Sequence, residues 1–81
     1  MKGTVKVELR GPLTRYAPDH HQGGPIWFNL SEHATVGSIL CSLGIAREYI
    51  SMMVVNGKKA EPSTPLGEGD HVILFPPVAG G

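Results

Sequence analysis

The last seven residues of this 81-residue sequence carry its clearest chemical feature, the segment Phe75-Pro76-Pro77-Val78-Ala79-Gly80-Gly81. Its two prolines lack backbone N–H groups, so they end a sheet ladder and stiffen the chain that follows. The residues after Phe75 span roughly 19 Å when extended at about 3.1 Å per residue. Because Gly80 and Gly81 have no side chains, the tip can enter a narrow slot and approach a reactive group closely. We predict a stiff arm over residues 76–81, attached to a domain over residues 1–75.

The arm could act through the carboxylate of Gly81 at the end of the sequence. A carboxylate is ionised at neutral pH and resists nucleophilic attack, so it must be activated before it can react. A Gly-Gly end is also compatible with an ordinary frayed terminus. The Pro-Pro base, the apolar anchor at Val78 and the bare Gly-Gly tip together favour a functional arm. We therefore predict Gly81 and Gly80 as the reacting end, and we expect Phe75, Pro76, Pro77, Val78 and Ala79 to contact a partner.

Composition excludes several other classes of function. Seven basic residues balance seven acidic ones, and charged residues are only 17% of the chain, so an electrostatic grip on nucleic acid is not expected. Hydrophobic residues make up 41% of the chain, which is enough for a core. The charged start, Met1 to Lys6, lacks the apolar run of a signal peptide, and no stretch reaches the length of a membrane span. The default expectation is a soluble cytoplasmic protein.

The remaining reactive side chains do not form a site. Cys41 is the single cysteine, and without a basic neighbour it is better interpreted as a residue on the flank of a helix than as a reactive thiol. His20 and His21 are adjacent, which is a poor geometry for chelating one metal ion, so no metal site is predicted. Gly23-Gly24-Pro25 lacks the strand and helix that flank a phosphate-binding loop.

Strand patterns occur at both ends of the domain. Thr4 to Leu9 alternates apolar and charged residues, and a second alternating segment begins at Ile26 and continues to Leu30. The polar loop from Gly11 to Pro25 separates them, with one helical turn at most. His71 to Phe75 is nearly all apolar, as is typical of a central strand.

A short amphipathic helix and a hairpin lie between these strands. Apolar residues recur with helical spacing from Val36 to Leu43, with Thr35 as the N-cap and Gly44 as the C-terminal cap. Further on, Asn56-Gly57 is a strong signal for a tight turn that joins two short strands. The order predicts an α+β roll, in which one helix packs across a mixed sheet of four or five strands, with the first and last strands as central neighbours.

One helix covers only one face of such a sheet, so the other face is available to a partner. We expect Phe75 and Val78 to anchor that partner beside the arm. Trp27, Met53 and Val55 could extend this patch. Trp27 is equally well explained as ordinary strand surface, and a place in the core is somewhat favoured for Met53 and Val55.

The final third of the sequence resembles the MoaD/ThiS family of ubiquitin-like sulfur carriers, and especially its MoaD branch, the small subunit of molybdopterin synthase. The resemblance rests on Val54-Val55-Asn56-Gly57, Thr64-Pro65-Leu66, Glu68-Gly69-Asp70, Val72, Leu74 and the terminal segment Phe75-Pro76-Pro77-Val78-Ala79-Gly80-Gly81. It implies the β-grasp (ubiquitin-like) fold, which agrees with the roll derived from the patterns.

The resemblance also implies a chemistry for the arm. An adenylating enzyme of the MoeB/ThiF type would join the Gly81 carboxylate to AMP, using ATP and magnesium. A sulfurtransferase persulfide would then replace AMP and leave a Gly81 thiocarboxylate. In the MoaD branch the arm enters the MoaE-like large subunit of molybdopterin synthase and donates sulfur to a pterin precursor in molybdenum cofactor biosynthesis. The chain would bind no cofactor itself and would be a co-substrate, not an enzyme.

Two alternatives share the Gly-Gly end. The first is a sulfur carrier for another pathway, such as thiamine, tRNA thiolation, cysteine or a tungsten cofactor. The second is a ubiquitin-like modifier, or a plain binding module, whose arm forms an amide with a lysine.

Overall fold

The structure is a computed structural model that describes residues 3–17, 25–30 and 33–77. Its regular elements are strands β1 (Thr4–Leu9), β2 (Ile26–Asn29), β3 (Met52–Val55), β4 (Lys58–Ala60) and β5 (His71–Phe75), helix α1 (Val36–Leu43), and the 3₁₀ helices Gly11–Tyr16 and Arg47–Tyr49. The strands form one five-stranded mixed sheet in the order β2-β1-β5-β3-β4.

The first and last strands are neighbours, as the sequence predicts. β5 pairs with β1 in parallel and with β3 in antiparallel orientation, so it is the middle strand of the sheet. β1 also pairs antiparallel with β2. The strand that leads to the C-terminal arm is therefore hydrogen-bonded on both sides, as are β1 and β3, and it lies at the centre of the sheet.

Helix α1 has the predicted ends. The Thr35 side chain accepts a hydrogen bond from Ser38 N, and the Ser38 hydroxyl accepts one from Thr35 N, which together form a capping box. Gly44 ends the helix in the left-handed conformation, with φ of 73°. These local signals set the length of the helix at eight residues.

The core lies between α1 and one face of the sheet. The helix contributes Val36, Ile39 and Leu40, all buried, to a cluster that contains the inward-facing residues of the two central strands, Val5, Val7, Val72 and Leu74. Those four strand residues have no exposed surface. The opposite sheet face is left without a covering helix in the described part of the chain.

The loop after β1 is more ordered than expected. Where the sequence predicts at most one helical turn, Gly11–Tyr16 forms six residues of 3₁₀ helix, which amounts to about two turns. Pro12 lies in its first turn, and Leu13 is buried in the core. A proline tolerated at a helix start and one buried anchor are sufficient reasons for the extra turn.

Candidate functional site

The structure describes the first two residues of the predicted arm, Pro76 and Pro77, and Phe75 before them; we call Phe75 to Pro77 the base of the arm. Phe75 is the last residue of β5 and is half-buried, as is Pro76, whereas Pro77 is exposed. Val78, Ala79, Gly80 and Gly81 lie outside the described residues, so their predicted roles stay predictions.

Ser51 holds the base from the β3 side. Its backbone N–H donates to Phe75 O at 2.9 Å, and its hydroxyl donates to Pro76 O at 2.6 Å. Ser51 immediately precedes β3, and the register of β3 and β5 pairs Met52 with Phe75. Ser51 is therefore the residue that stands opposite Pro76, one step beyond the end of the ladder.

Gly11 meets the base from the β1 side. Arg10 N donates to Leu74 O at 3.1 Å, which continues the contact between β1 and β5 to their ends. The next residue, Gly11, has φ of 54°, and a Cβ atom added there would lie 3.3 Å from Pro76 Cγ. The absence of a side chain at Gly11 thus lets the backbone approach the proline ring closely.

An open groove of about 420 Å³ runs beside the base. It is lined by Pro12, Leu13, Arg15, Tyr16, Tyr49, Pro76 and Pro77. Prolines and tyrosines provide apolar walls. Arg15, in the last turn of the 3₁₀ helix Gly11–Tyr16, provides a positive charge. The groove therefore places partly apolar surface next to the base of the predicted arm.

The open face of the sheet carries an apolar patch. Phe75 lies beside Met52 across the β3–β5 pair, and Ile73 lies beside Val54. These four side chains alternate with the buried residues of the same strands, so they point away from the core. We call Met52, Val54, Ile73 and Phe75 the open-face patch.

Charged groups border this patch on the β1 side. Glu8 pairs with Arg10 at 2.9 Å, and its second carboxylate oxygen lies 2.5 Å from His71 Nε2. At the far end of the face, Lys6 Nζ lies 6.0 Å from the centre of the Trp27 ring. The arrangement is a small apolar centre with a polar rim, as is common for surfaces that bind another protein.

The structure decides which residues of β3 face outward. Met53 is 3% exposed and belongs to the core, and Val55 packs against that core, so neither extends the patch as one interpretation of the sequence allowed. Met52 and Val54 occupy the open face instead. Trp27 is 63% exposed and does lie on this face, opposite Lys6 in the β1–β2 register.

The other sequence candidates do not join the site. Cys41 is exposed on α1, as expected for a helix-flank residue. His20 and His21 lie outside the described residues. Within residues 3–17, 25–30 and 33–77, no three His, Cys, Asp or Glu side chains are grouped so that they could hold a metal ion. None of the helices described there is long and apolar enough to cross a membrane.

Sequence reasoning missed Ser51, Gly11 and the groove. Ser51 is 24 residues from Phe75 and carries no motif. Its role depends on the register between β3 and β5, which the apolar pattern of these strands leaves open. The local signal at Gly11 is the Gly11-Pro12 pair two residues after β1, which predicts the end of the strand but not a contact with Pro76.

Comparison with known proteins gives a family match and several structural matches. The family model described as Mut7-C ubiquitin matches residues 2–79. No curated protein sequence matches the chain. SAMP1 from Haloferax volcanii is 26% identical, with a TM-score of 0.73 over 98% of this chain and 100% of that one.

Two further solved structures share the fold at lower identity. The putative molybdopterin converting factor, subunit 1, from Pyrococcus furiosus is 21% identical, with a TM-score of 0.67 over 94% of this chain and 99% of that one. A chain in the complex of subunits 1 and 2 of the molybdopterin-converting factor from Helicobacter pylori is 23% identical, with a TM-score of 0.56 over 96% of this chain and 99% of that one. These two structures share the β-grasp fold, and together with the family model and the SAMP1 match they confirm the resemblance to MoaD/ThiS-like ubiquitin-like proteins.

Proposed function

Because the chain belongs to the Mut7-C ubiquitin family, we propose that it is a ubiquitin-like carrier whose Gly81 carboxylate is activated and then bears sulfur as a thiocarboxylate. The observation that carries the proposal is the attachment of the arm. The segment that ends in Gly80-Gly81 follows the central strand of the sheet, and its exposed Pro77 lines a groove two residues after Phe75, a member of the open-face patch. This placement favours delivery of the chain end to another protein.

The chemistry needs no catalytic group on this chain. A Gly81 carboxylate oxygen forms a bond to the α-phosphorus of ATP on an adenylating enzyme of the MoeB/ThiF type, and magnesium-bound pyrophosphate leaves. The terminal sulfur of a sulfurtransferase persulfide then bonds to the acyl carbon, and AMP leaves. A thiol reduces the resulting acyl disulfide, which breaks the S–S bond and leaves the thiocarboxylate on Gly81.

The chain's own residues bind the partner and orient the arm. The β5 strand fixes Phe75, and Met52 and Phe75 offer apolar surface to the partner at the point where the arm starts. Oriented delivery of this kind turns the attack on the activated carbon into an effectively intramolecular step. The chain therefore acts as a co-substrate.

We propose molybdenum cofactor biosynthesis as the pathway that receives the sulfur, with a MoaE-like large subunit as the acceptor partner. The Helicobacter pylori match supports this choice, because that solved structure is a complex of molybdopterin-converting factor subunits 1 and 2. Thiamine, tRNA thiolation, cysteine and tungsten cofactor synthesis are the alternative destinations.

Protein modification is a second candidate function, and the match to SAMP1 favours it, since the same Haloferax volcanii protein is described as small archaeal modifier protein 1. In this case a lysine amine, not a persulfide, attacks the activated Gly81 carbon, and an amide bond forms as AMP leaves.

Intact-mass measurement tests the proposal. The full chain is incubated with an adenylating enzyme, ATP, magnesium, a sulfurtransferase and a thiol reductant. We expect a mass increase equal to the replacement of one oxygen by sulfur, and no increase when ATP is omitted. Amide-linked conjugates with lysines of other chains would instead favour the modifier. An unchanged mass and no conjugates would contradict both. Transfer of sulfur to a pterin precursor with the large subunit then tests the pathway.

A further inference from the structure

The sheet loses its hydrogen-bond donors where the arm begins. Phe75 is the last residue of β5, and the next two residues are Pro76 and Pro77, which have no N–H groups. Only their carbonyl oxygens can bond to the rest of the domain. Without a donor from a neighbouring element, the chain beyond Phe75 would be free to pivot at that residue.

Ser51 supplies the missing donors. In the antiparallel register of β3 and β5 it stands opposite Pro76, one position past the last pair of the ladder, Met52 and Phe75. Its N–H bonds to Phe75 O and its hydroxyl bonds to Pro76 O at 2.6 Å. Ser51 thus attaches Pro76 to the domain, one position past Phe75, the last residue of β5.

Gly11 closes the opposite side. The Pro76 ring packs so close to this glycine that an added Cβ would lie 3.3 Å from Pro76 Cγ. Pro76 is therefore confined by a hydrogen bond to its carbonyl from Ser51 and by close packing of its ring against Gly11. With the fixed φ of proline, these two contacts restrict the direction of the next residue.

We propose that Ser51 is a positioning residue, which clamps Pro76 against Gly11 and so fixes the direction in which the C-terminal arm leaves the domain. The role of this clamp in the activation of Gly81 rests on the proposed function. A fixed base reduces the conformational freedom that is lost when the arm enters a partner's active site. The fixed direction lowers the cost of inserting the arm into the partner. It has no effect afterwards, because the partner itself holds an inserted arm.

The direct test is hydrogen exchange at the amide of residue 51, measured by NMR. In Ser51→Ala the hydroxyl bond is lost, and we expect this amide to exchange about twofold to tenfold faster, the range that corresponds to one net hydrogen bond. Ser51→Thr keeps a hydroxyl and should restore slow exchange. Ser42→Ala, which removes an exposed hydroxyl on α1, is the matched control. Unchanged exchange at residue 51 in Ser51→Ala would overturn the clamp.

The kinetic test uses ATP–pyrophosphate exchange by the adenylating enzyme, with the full chain as the varied substrate. For Ser51→Ala we expect the KM for the chain to rise about twofold to tenfold, with kcat unchanged and with recovery in Ser51→Thr. Faster amide exchange without a change in KM would show that the clamp does not position the arm, and would overturn that role. If even the wild-type chain supports no ATP–pyrophosphate exchange, the proposed function fails. The hydrogen-exchange rate of the residue 51 amide then decides alone whether the clamp exists.

Gly11→Ala tests the other side, with Gly57→Ala as a matched control. Both glycines have positive φ, but an added Cβ at Gly57 meets nothing within 4 Å. Both variants carry backbone strain. A change in the Pro76 carbon chemical shifts that occurs in Gly11→Ala and not in Gly57→Ala therefore supports the clamp. Equal shifts, or none, in the two variants would contradict the packing contact.

Discussion

Asn56 and His71 are joined by two hydrogen bonds across 15 positions of sequence: Asn56 N donates to His71 O, and His71 N donates to the Asn56 side-chain oxygen, both at 2.9 Å. The Asn56 amide nitrogen also donates to Asp70 Oδ1 at 2.9 Å. Asn56 adopts φ of 53°, a conformation that asparagine tolerates better than most residues. The turn between β3 and β4 is therefore tied to the start of the central strand β5.

Substitution of Asn56 should destabilise the fold in two distinguishable steps. Asn56→Gly removes the side-chain bonds and keeps the positive φ, so we expect a loss of about 1–2 kcal/mol in the free energy of unfolding. Asn56→Ala adds backbone strain, and its loss should be larger by about 1 kcal/mol. Urea denaturation followed by circular dichroism measures both values. Equal stability of the two variants would show that the backbone conformation contributes nothing.

The capping box of α1 predicts the effect of a change at Thr35. Thr35→Ala removes the oxygen that accepts from Ser38 N, and it should lower the free energy of unfolding by about 1 kcal/mol. Thr35→Ser keeps an equivalent oxygen and should retain most of the stability. Thermal unfolding of the three proteins provides the comparison. A midpoint for Thr35→Ala equal to that of the wild type would contradict a stabilising cap.

Deletion of Gly81 should abolish activation and leave the fold intact. The reacting carboxylate would move back by one residue, to Ala-Gly, and would reach the activating enzyme's nucleotide less well. Adenylation is measured by ATP–pyrophosphate exchange, and the thermal transition is measured alongside it. We expect no exchange and an unchanged midpoint. A large loss of stability would mean that the segment is part of the domain and not an arm.

Phe75→Ala tests the open-face patch as a docking surface. Phe75 is apolar, half-buried and part of the base of the arm, so its truncation should weaken binding to the adenylating enzyme by about tenfold. Trp27→Ala removes an exposed aromatic ring from β2 at the far edge of the same face and is the comparison. Isothermal titration calorimetry measures both affinities. If Phe75→Ala binds as tightly as the wild type, the docking surface lies elsewhere.

Local signals were sufficient for most element boundaries. β1, α1 and β5 begin and end at the predicted residues, because alternation, helical spacing, Thr35, Gly44 and the prolines after Phe75 act within a few residues of the backbone they control. Asn56-Gly57 likewise forms the expected turn with positive φ at both residues. The four-residue β3 was different: every position is apolar, so no alternation indicated that Met53 faces the core and Val54 the solvent.

By itself the sequence determined the helix, the turn at Asn56-Gly57 and the ends of β1 and β5, since these depend on short-range conformational preferences. Only the tertiary structure decided that Ser51 stands opposite Pro76, that Gly11 touches the same ring, and that Glu8 meets His71. These contacts join residues far apart in the chain through strand register. Register is set when one side of every strand is buried together against α1, which no single segment encodes.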